Sequence, residues 1–577
     1  MTWRVHLAVG SLIAVVGAGL TVSAQNAAKP APPVTVGRSM VMTKFGIVAA
    51  SQPLAAQAGA KILERGGNAV DAAIAANATM GLVEPAMNGI GGDLFVIYYE
   101  AKTGKLHGLN GSGWAPTGLS AELLKSKGIT KMPGRGIYTV TVPGAVAGWD
   151  ALRERFGSKP FSEILQPAIY YAENGFPVTE VISDGWQGST KLLSETPSAA
   201  KTYLIDGHAP KPGEIFSNPQ LAATLGLIAK SGRDGFYKGS VADAIVRTSK
   251  ELGGTMTLAD LAEFQPEWVT PISTTYHGWT VSELPPNSQG IAALEMLNIM
   301  ERFPLQQWGF HSTKTLHVMM EAKKLAYADL IRYVADPKFA KMPTEQLLGK
   351  PNTDARAAMI DMSKAACSVE PSHLEGYTNS QGHDTIYLSA IDKDGNIVSL
   401  IQSLYSGFGS GISPAGTGFM LHNRGGLFTL EANHPNVLAP RKRPLHTIIP
   451  AFMQKDGVAI GFGIMGGFNQ AQAHAQFVAD IVDFGMNIQQ ALEAGRFTKG
   501  SFQGCDVQIE SLVPAQVRSE LTALGHELTV VPPRSGAFGW GQAVMSDAKG
   551  THYGASEPRH DGAAIPEAAP IFGPAKP

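Results

Sequence analysis

The chain of 577 residues is long enough to bury at least one large hydrophobic core, and its length allows several domains. Hydrophobic residues make up 44% and charged residues 16% of the sequence, which is typical of a globular protein. A formal net charge of −2 gives no field strong enough to favour nucleic acid or an anionic membrane as a partner.

The first 24 residues have the features of an export signal. Arg4 and His6 precede an apolar stretch over 7–22, and Ala24 ends a run of small residues suitable for cleavage. A single membrane anchor is the alternative, but a stretch of about 16 residues interrupted by Gly and Ser is short for a span. We therefore expect residues 1–24 to be removed, the product to be periplasmic or secreted, and no membrane span to remain.

Helical periodicity dominates the front of the chain. It predicts helices over 53–64, 69–80, 149–156, 221–230, 242–252, 291–301 and 316–332. Between the second and third of these helices, residues 94–99 are predicted to form a strand. Residues 348–381 are polar and contain several Gly and Ser, which predicts a surface loop or a mobile tether. The tail over 551–577 shows no obvious regular structure.

The period of the hydrophobic pattern changes after this polar stretch. Two β-rich runs, 385–391 and 396–403, flank the sequence Asp-Lys-Asp-Gly and predict a hairpin. A second unit follows downstream, with a strand over 458–464, a Gly-Gly break and a helix over 469–484. The back of the chain is therefore expected to contribute strands as well as helices to the core.

The sequence contains two cysteines, Cys367 and Cys505. Their positions form no disulfide framework, so pairing after export and two unpaired thiols both stay open. The histidines show neither HExxH nor CxxC…H spacing. We therefore expect no metal site and no cofactor.

The predicted hairpin places a threonine where a nucleophile could act. Thr385 lies opposite Gln402 or Ser403, within one residue of register, so that a second hydroxyl, that of Ser403, is nearby. An ordinary Thr–Ser cross-strand pair gives the same pattern. A threonine hydroxyl is a weak nucleophile and needs an adjacent base. Cleavage between Asp384 and Thr385 would supply that base as a new α-amino group, whose pKa in peptides is about 7.7–8.0.

Several short blocks follow one another along the chain: 58–59 (AG), 66–73 (GGNAVDAA), 84–85 (EP), 89–92 (GIGG), 142–144 (VPG), 392–396 (DKDGN), 408–411 (FGSG), 442–444 (KRP), 466–467 (GG) and 554–559 (GASEPR). In this order they resemble the gamma-glutamyltransferase family over residues 38–562. The resemblance implies an α/β fold, a four-layer αββα sandwich of the N-terminal nucleophile hydrolase type, made as a precursor that cuts itself before Thr385. It also implies a large chain of residues 25–384 and a small chain of 385–577 that remain one interwoven fold.

The same resemblance implies roles for three further residues. Ser403 falls where the family has a threonine that supports the nucleophile. Gly466 and Gly467 fall at the family's oxyanion hole, and the local pattern agrees, because N–H groups between a strand and a helix start face outward with the positive helix end behind them. A Gly-Gly turn needed only for close packing is the alternative.

Departures from the family pattern concern the substrate. Ser112 stands in place of the arginine that binds the donor α-carboxylate, and Leu427 replaces the acid that holds the donor amino group. Arg424 replaces a glutamine in the same run as Leu427. The remaining candidate binding residues are Asn423, Tyr405 in place of an asparagine, and His446 and Thr447 in place of two serines.

These departures favour an acyl donor that keeps a carboxylate but lacks a free α-amino group. Arg424 could bind that carboxylate, or it could pair internally with a carboxylate of the protein. We expect a hydrolase or acyltransferase acting on a small amide or a γ-glutamyl peptide, with water or an amine resolving the acyl-enzyme. An amidase or acylase for an oxamate or glutaryl amide, and an inactive binding homologue, are the alternatives. An exported receptor has no supporting feature.

Overall fold

The computed structural model describes residues 36–372 and 386–571. Within these residues, two seven-stranded sheets lie face to face and helices cover both outer surfaces, as the αββα prediction requires. The predicted signal over 1–24, and the predicted cleavage residues Asp384 and Thr385, lie outside the described residues.

The strands are short and distributed along the whole described chain. They are β1 (Val41–Thr43), β2 (Ile47–Ala50), β3 (Asp93–Glu100), β4 (Lys105–Gly111), β5 (Phe176–Pro177), β6 (Ile215–Phe216), β7 (Glu267–Val269), β8 (Ile272–Tyr276), β9 (Trp279–Glu283), β10 (Ile386–Ile391), β11 (Ile397–Ser403), β12 (Ala451–Lys455), β13 (Val458–Ile464), β14 (Phe497–Thr498), β15 (Asp506–Glu510), β16 (Glu527–Val531), β17 (Gly541–Ser546), β18 (His552–Ser556) and β19 (Ala563–Pro566).

Both large sheets are antiparallel and mix strands from the two ends of the chain. One runs β19-β2-β10-β11-β3-β4-β7 and the other β1-β18-β17-β13-β12-β9-β8. The predicted hairpin is formed by β10 and β11, and Asp392 closes its turn by accepting bonds from the N–H groups of Asp394 and Asn396, each at 3.0 Å. This hairpin occupies the centre of its sheet, with β2 and β3 on either side.

The helices form the two outer layers and the connections. They are α1 (Pro53–Glu64), α2 (Ala69–Val83), α3 (Ala121–Ser126), α4 (Ala145–Phe156), α5 (Phe161–Ile164), α6 (Gln166–Asn174), α7 (Glu180–Gln187), α8 (Thr190–Ser194), α9 (Pro197–Tyr203), α10 (Pro219–Ser231), α11 (Asp234–Tyr237), α12 (Gly239–Glu251), α13 (Leu258–Ala262), α14 (Gly290–Met300), α15 (Leu305–Trp308), α16 (Thr313–Tyr333), α17 (Thr344–Leu348), α18 (Lys350–Ala357), α19 (Asn469–Val482), α20 (Ile488–Glu493) and α21 (Ala515–Ala523).

Three apolar cores separate the four layers. Helices α1, α2 and α4 pack on the sheet that contains the hairpin, and helices α14, α19 and α20 pack on the other sheet. Aromatic and branched side chains, including Phe95, Tyr387 and Phe452, fill the space between the sheets. Helix α2 is buried on nearly all sides, and it approaches α1 so closely that a Cβ on Gly59 would lie 2.8 Å from the Ala72 carbonyl oxygen.

Two expectations from the sequence are wrong. The stretch over 348–381 is not loop throughout, because α18 forms there and its Arg356 pairs with Asp329 of α16 at 2.9 Å. The tail over 551–577 is not irregular throughout, because β18 and β19 are strands that pair with β1, β17 and β2. The partners β1 and β2 come from the opposite end of the chain, whereas Asp329 lies 27 positions from Arg356 and β17 directly precedes β18.

Cys367 and Cys505 form a disulfide, with their Cα atoms 4.6 Å apart. The alternative of two unpaired thiols is therefore wrong. Among the described helices, none combines the length and the hydrophobicity that crossing a bilayer requires.

Candidate active site

The candidate site begins where the central strands of one sheet end. The last residue of β11 is Ser403, which pairs with Asp93 at the start of β3, while Gln402 pairs with Ile386 of β10. Ser403 is fully buried, and its Oγ accepts a hydrogen bond from the Tyr405 N–H at 2.7 Å. Tyr405 has a φ of +79°, which turns the chain away from the sheet directly after the strand. The predicted nucleophile Thr385 precedes Ile386 and lies outside the described residues.

Asp93 is a buried carboxylate with donors on both of its oxygens. The Gly113 N–H donates to Oδ1 at 2.9 Å, and Oδ2 lies 2.8 Å from His446 Nε2 and 3.0 Å from His422 Nδ1. The guanidinium Nε of Arg424 is 3.3 Å from the same Oδ2. Burial would raise the pKa of Asp93, but His422 and His446 outweigh burial and hold that pKa well below its usual range. Asp93 is therefore an anion at the centre of this cluster.

His446 enters the cluster as a neutral ring. Its Nδ1 accepts a hydrogen bond from the Ile448 N–H at 3.3 Å, so Nε2 carries the proton that is donated to Asp93. Burial and the positive charge of Arg424 lower the pKa of His446 to about 3 in spite of the Asp93 charge. The net charge of the Asp93, Arg424 and His446 side chains is thus close to zero.

Arg424 is completely buried and engaged by the protein itself. Besides the contact with Asp93, its Nη1 donates to Thr447 Oγ1 at 2.7 Å, and its guanidinium carbon lies 4.6 Å from the centre of the Tyr405 ring. The internal ion pair with a carboxylate, which the sequence left as an alternative, is confirmed. Binding of a donor carboxylate by Arg424 stays a prediction.

Asn423 and Ser112 lie at the edge of the same cluster, and their side chains are hydrogen-bonded to neighbouring loops. Asn423 Nδ2 donates to the Gly134 carbonyl at 2.7 Å and to Ser406 Oγ at 2.9 Å, and its Oδ1 accepts from the Ser406 N–H at 3.0 Å. Ser112 Oγ accepts from Asn287 Nδ2 at 3.2 Å. The structure therefore brings Ser112, Ser403, Tyr405, Asn423, Arg424, His446 and Thr447 into one buried region.

Gly466 and Gly467 connect the end of β13 to the start of α19. Their φ values are +127° and +62°, a region that glycine adopts most readily. Both carbonyls are used within the protein, since Gly466 accepts from the Asn469 N–H at 3.0 Å and Gly467 from Gln289 Nε2 at 2.7 Å. Within the described part of the chain, neither of the two glycine N–H groups donates a hydrogen bond. Two adjacent donors at a helix start are a suitable site for an oxyanion.

A cavity of about 410 Å³ opens beside these glycines. Its lining includes Gly466, Asn469 and Trp540, and the side chains of Ser501 and Asp506 give it a polar wall. The polar wall is supported from within by Lys499, a buried cation that donates to Ser501 Oγ at 2.6 Å and to Asp506 Oδ1 at 2.9 Å. A larger cavity of about 690 Å³, between α17, α18 and residues 370–372, is lined by none of the predicted site residues.

One group of described residues, His317, Glu321 and His526, has the spacing to hold a metal ion. His317 Nδ1 and His526 Nε2 are hydrogen-bonded to each other at 2.8 Å, and Lys324 Nζ lies 2.6 Å from Glu321 Oε1. Burial, together with the Lys324 charge, lowers the pKa of His526 to about 3. A lysine that already neutralises the carboxylate opposes a cation there, so we derive no metal chemistry from this group.

The chain is similar to known proteins along most of its length. A sequence model described as gamma-glutamyltranspeptidase matches residues 55–567. A glutathione hydrolase-like proenzyme of Bacillus subtilis strain 168 is 37% identical, over 92% of this chain and 100% of the relative. An oxamate amidohydrolase proenzyme of Klebsiella pneumoniae is 33% identical, over 91% of this chain and 98% of the relative. The crystal structure of a cephalosporin acylase from Bacillus halodurans superposes with a TM-score of 0.86 at 42% identity, covering 92% of this chain and 98% of that one.

Proposed function

Because the chain belongs to the gamma-glutamyltranspeptidase family of hydrolases and acyltransferases, we propose that it is cut between Asp384 and Thr385 and uses Thr385 to break an amide bond. The mature enzyme would consist of a large chain, 25–384, and a small chain, 385–577, after removal of residues 1–24. The Cys367–Cys505 disulfide supports export, since such bonds persist in oxidising compartments.

The pairing of the hairpin supports Thr385 as the nucleophile. Ile386 pairs with Gln402, and continuing this register by one residue brings position 385 opposite Ser403. Cross-strand neighbours on one face lie within hydrogen-bonding reach of each other. The Ser403 hydroxyl would then hold the Thr385 oxygen in position during attack.

The observation that carries the proposal is the pair of N–H groups at Gly466 and Gly467, beside the cavity and at the start of α19. In the proposed reaction, the Thr385 hydroxyl oxygen bonds to the amide carbon and its proton passes to the Thr385 α-amine. The two N–H groups would stabilise the resulting oxyanion by roughly 3–4 kcal/mol. Collapse then expels the amine, which takes up the proton, and leaves an ester that water or another amine resolves.

For the acyl donor, we propose a carboxylate-bearing amide without a free α-amino group, of the oxamate or glutaryl type. The family's ammonium-binding acid is replaced by Leu427, which is fully buried in an apolar core. Asp93, the carboxylate of the neighbouring cluster, already receives bonds on both oxygens. A charge-assisted bond to the donor ammonium, worth roughly 1.5–3 kcal/mol, would therefore be missing.

The test is the ratio of kcat/KM values for matched glutaryl, γ-glutamyl and butyryl anilides on the purified, processed enzyme. We expect the glutaryl compound to exceed the γ-glutamyl compound by about tenfold or more, since each 1.4 kcal/mol is a factor of ten. The highest value for the γ-glutamyl anilide would contradict the donor assignment. Protein that stays uncut and cleaves none of the three would instead point to a binding homologue.

A further inference from the structure

The disulfide lies between two segments that the proposed cleavage would place in different chains. Cys367 precedes the cleavage position and Cys505 follows it, 138 positions further along the chain. Both cysteines are the only ones in the sequence, so no other disulfide can form within one molecule. Any cut after residue 367 and before residue 505 leaves the two products joined by a sulfur–sulfur bond.

The bond is one part of a wider contact between these segments. The Gly504 N–H donates to the Cys367 carbonyl at 2.7 Å. The Gln503 amide makes two bonds to the Val369 backbone, at 3.1 and 3.2 Å. Because the two segments are matched by backbone and side-chain bonds as well, the disulfide fixes an arrangement that other contacts also favour.

This contact is continuous with the cavity beside Gly466. Ser501 and Asp506, on either side of the cysteine-bearing turn, line that cavity. Lys499 connects them and also donates to the Gln503 carbonyl at 3.1 Å. The Cys367 segment of the proposed large chain is thus attached next to the polar wall of the cavity.

Resting on the proposed cleavage, we infer that the mature enzyme is a covalent heterodimer in which Cys367–Cys505 joins the large chain to the small chain. The bond forms when an oxidised dithiol protein of the exporting compartment accepts two electrons and two protons from the thiols. In the mature protein it keeps the Cys367 segment of the large chain beside the cavity wall after the backbone is broken. It also makes reassociation of the two chains an intramolecular event.

Mass analysis of a tryptic digest tests the inference on the wild-type protein, with free thiols alkylated before digestion. We expect peptide 365–384 cross-linked to peptide 500–518, and separation of the two after dithiothreitol. Alkylated Cys367 and Cys505 in unlinked peptides would overturn the inference while cleavage stands. A cross-link to peptide 365–393 instead would show an uncut chain, so that the proposed maturation, and the linkage of two chains with it, fails.

Serine variants provide a second, independent readout. Wild type unfolded in urea without reductant should regain activity with a yield that is constant over about a hundredfold dilution, because its chains stay joined. On a denaturing, non-reducing gel, Cys367→Ser and Cys505→Ser should each migrate as two chains, whereas wild type should migrate as one. Both variants should also refold with a lower yield on dilution. Equal concentration dependence in wild type and variants would contradict the inference, and if either variant fails to fold, the wild-type digest decides.

Discussion

At the residue scale, Ser403 has one role that the structure shows and a second role that we propose. Its Oγ accepts the Tyr405 N–H bond that turns the chain after β11, and its proton can be donated to the proposed nucleophile. Removing the hydroxyl therefore costs stability as well as rate. The conservative replacement is threonine, which keeps the hydroxyl at this position.

Ser403→Ala should lower kcat by roughly ten- to a hundredfold, because one hydrogen bond to a reacting group contributes about 1–3 kcal/mol. Ser403→Thr should retain most of the activity. Ser389→Ala is the matched control, since Ser389 is an equally buried serine on the neighbouring strand β10 and lies outside the proposed machinery. Steady-state kinetics on correctly processed protein decides, and an unchanged kcat in Ser403→Ala would place the residue outside the reaction.

Asp93 and His422 are the site residues that the sequence analysis missed. Asp93 follows a Gly-Gly turn and begins a strand whose next five residues are buried. A buried acid needs hydrogen-bonding or charged partners inside the protein, so an acid at the start of a buried strand could have indicated a site residue. The partners, His422, Arg424 and His446, are more than 300 positions away, and nothing local in the sequence identifies them.

At the element scale, the junction between β13 and α19 carries the oxyanion proposal. Gly467→Ala should lower kcat by about a hundredfold or more, because a Cβ at a φ of +62° favours a backbone shift that misaligns the N–H donor. Gly485→Ala is the matched control, since Gly485 follows the same helix with a φ of +66° and open space around it. Both variants should lose about 1 kcal/mol of stability, but only Gly467→Ala should lose kcat.

A parallel loss of kcat in Gly485→Ala would show that strain, not donor geometry, explains the effect. Chemical denaturation of both variants, measured beside the kinetics, separates these outcomes.

Helices and strands whose ends are marked by capping or turn residues formed where the sequence predicted them. Helix α1 has Pro53 in its first turn and a side-chain cap from Gln52, α2 has a capping box, and the central hairpin closes on a turn that Asp392 organises. Elements without such signals were missed. The four-residue strand β19 ends in a proline and exists because β2 offers it an edge, and α18 is held through Arg356 and Asp329.

At the scale of the whole molecule, both sheets depend on the two proposed chains together. The hairpin β10–β11 comes from the small chain but lies between β2 and β3 of the large chain. In the other sheet, β9 of the large chain pairs with β12 of the small chain. A cut before Thr385 therefore divides the backbone without dividing the core, and the two products have no independent cores to separate into.

The measurement that tests the central claim most directly is the N-terminal sequence and intact mass of the purified protein under reducing conditions. We predict two chains, with the smaller one beginning at Thr385, and a Thr385→Ala variant that remains a single inactive chain of unchanged fold. The new α-amino group is the proposed base, so activity should appear only with cleavage. A Thr385→Ala protein that hydrolyses amides, or a fully active wild type with an uncut backbone, would contradict the account.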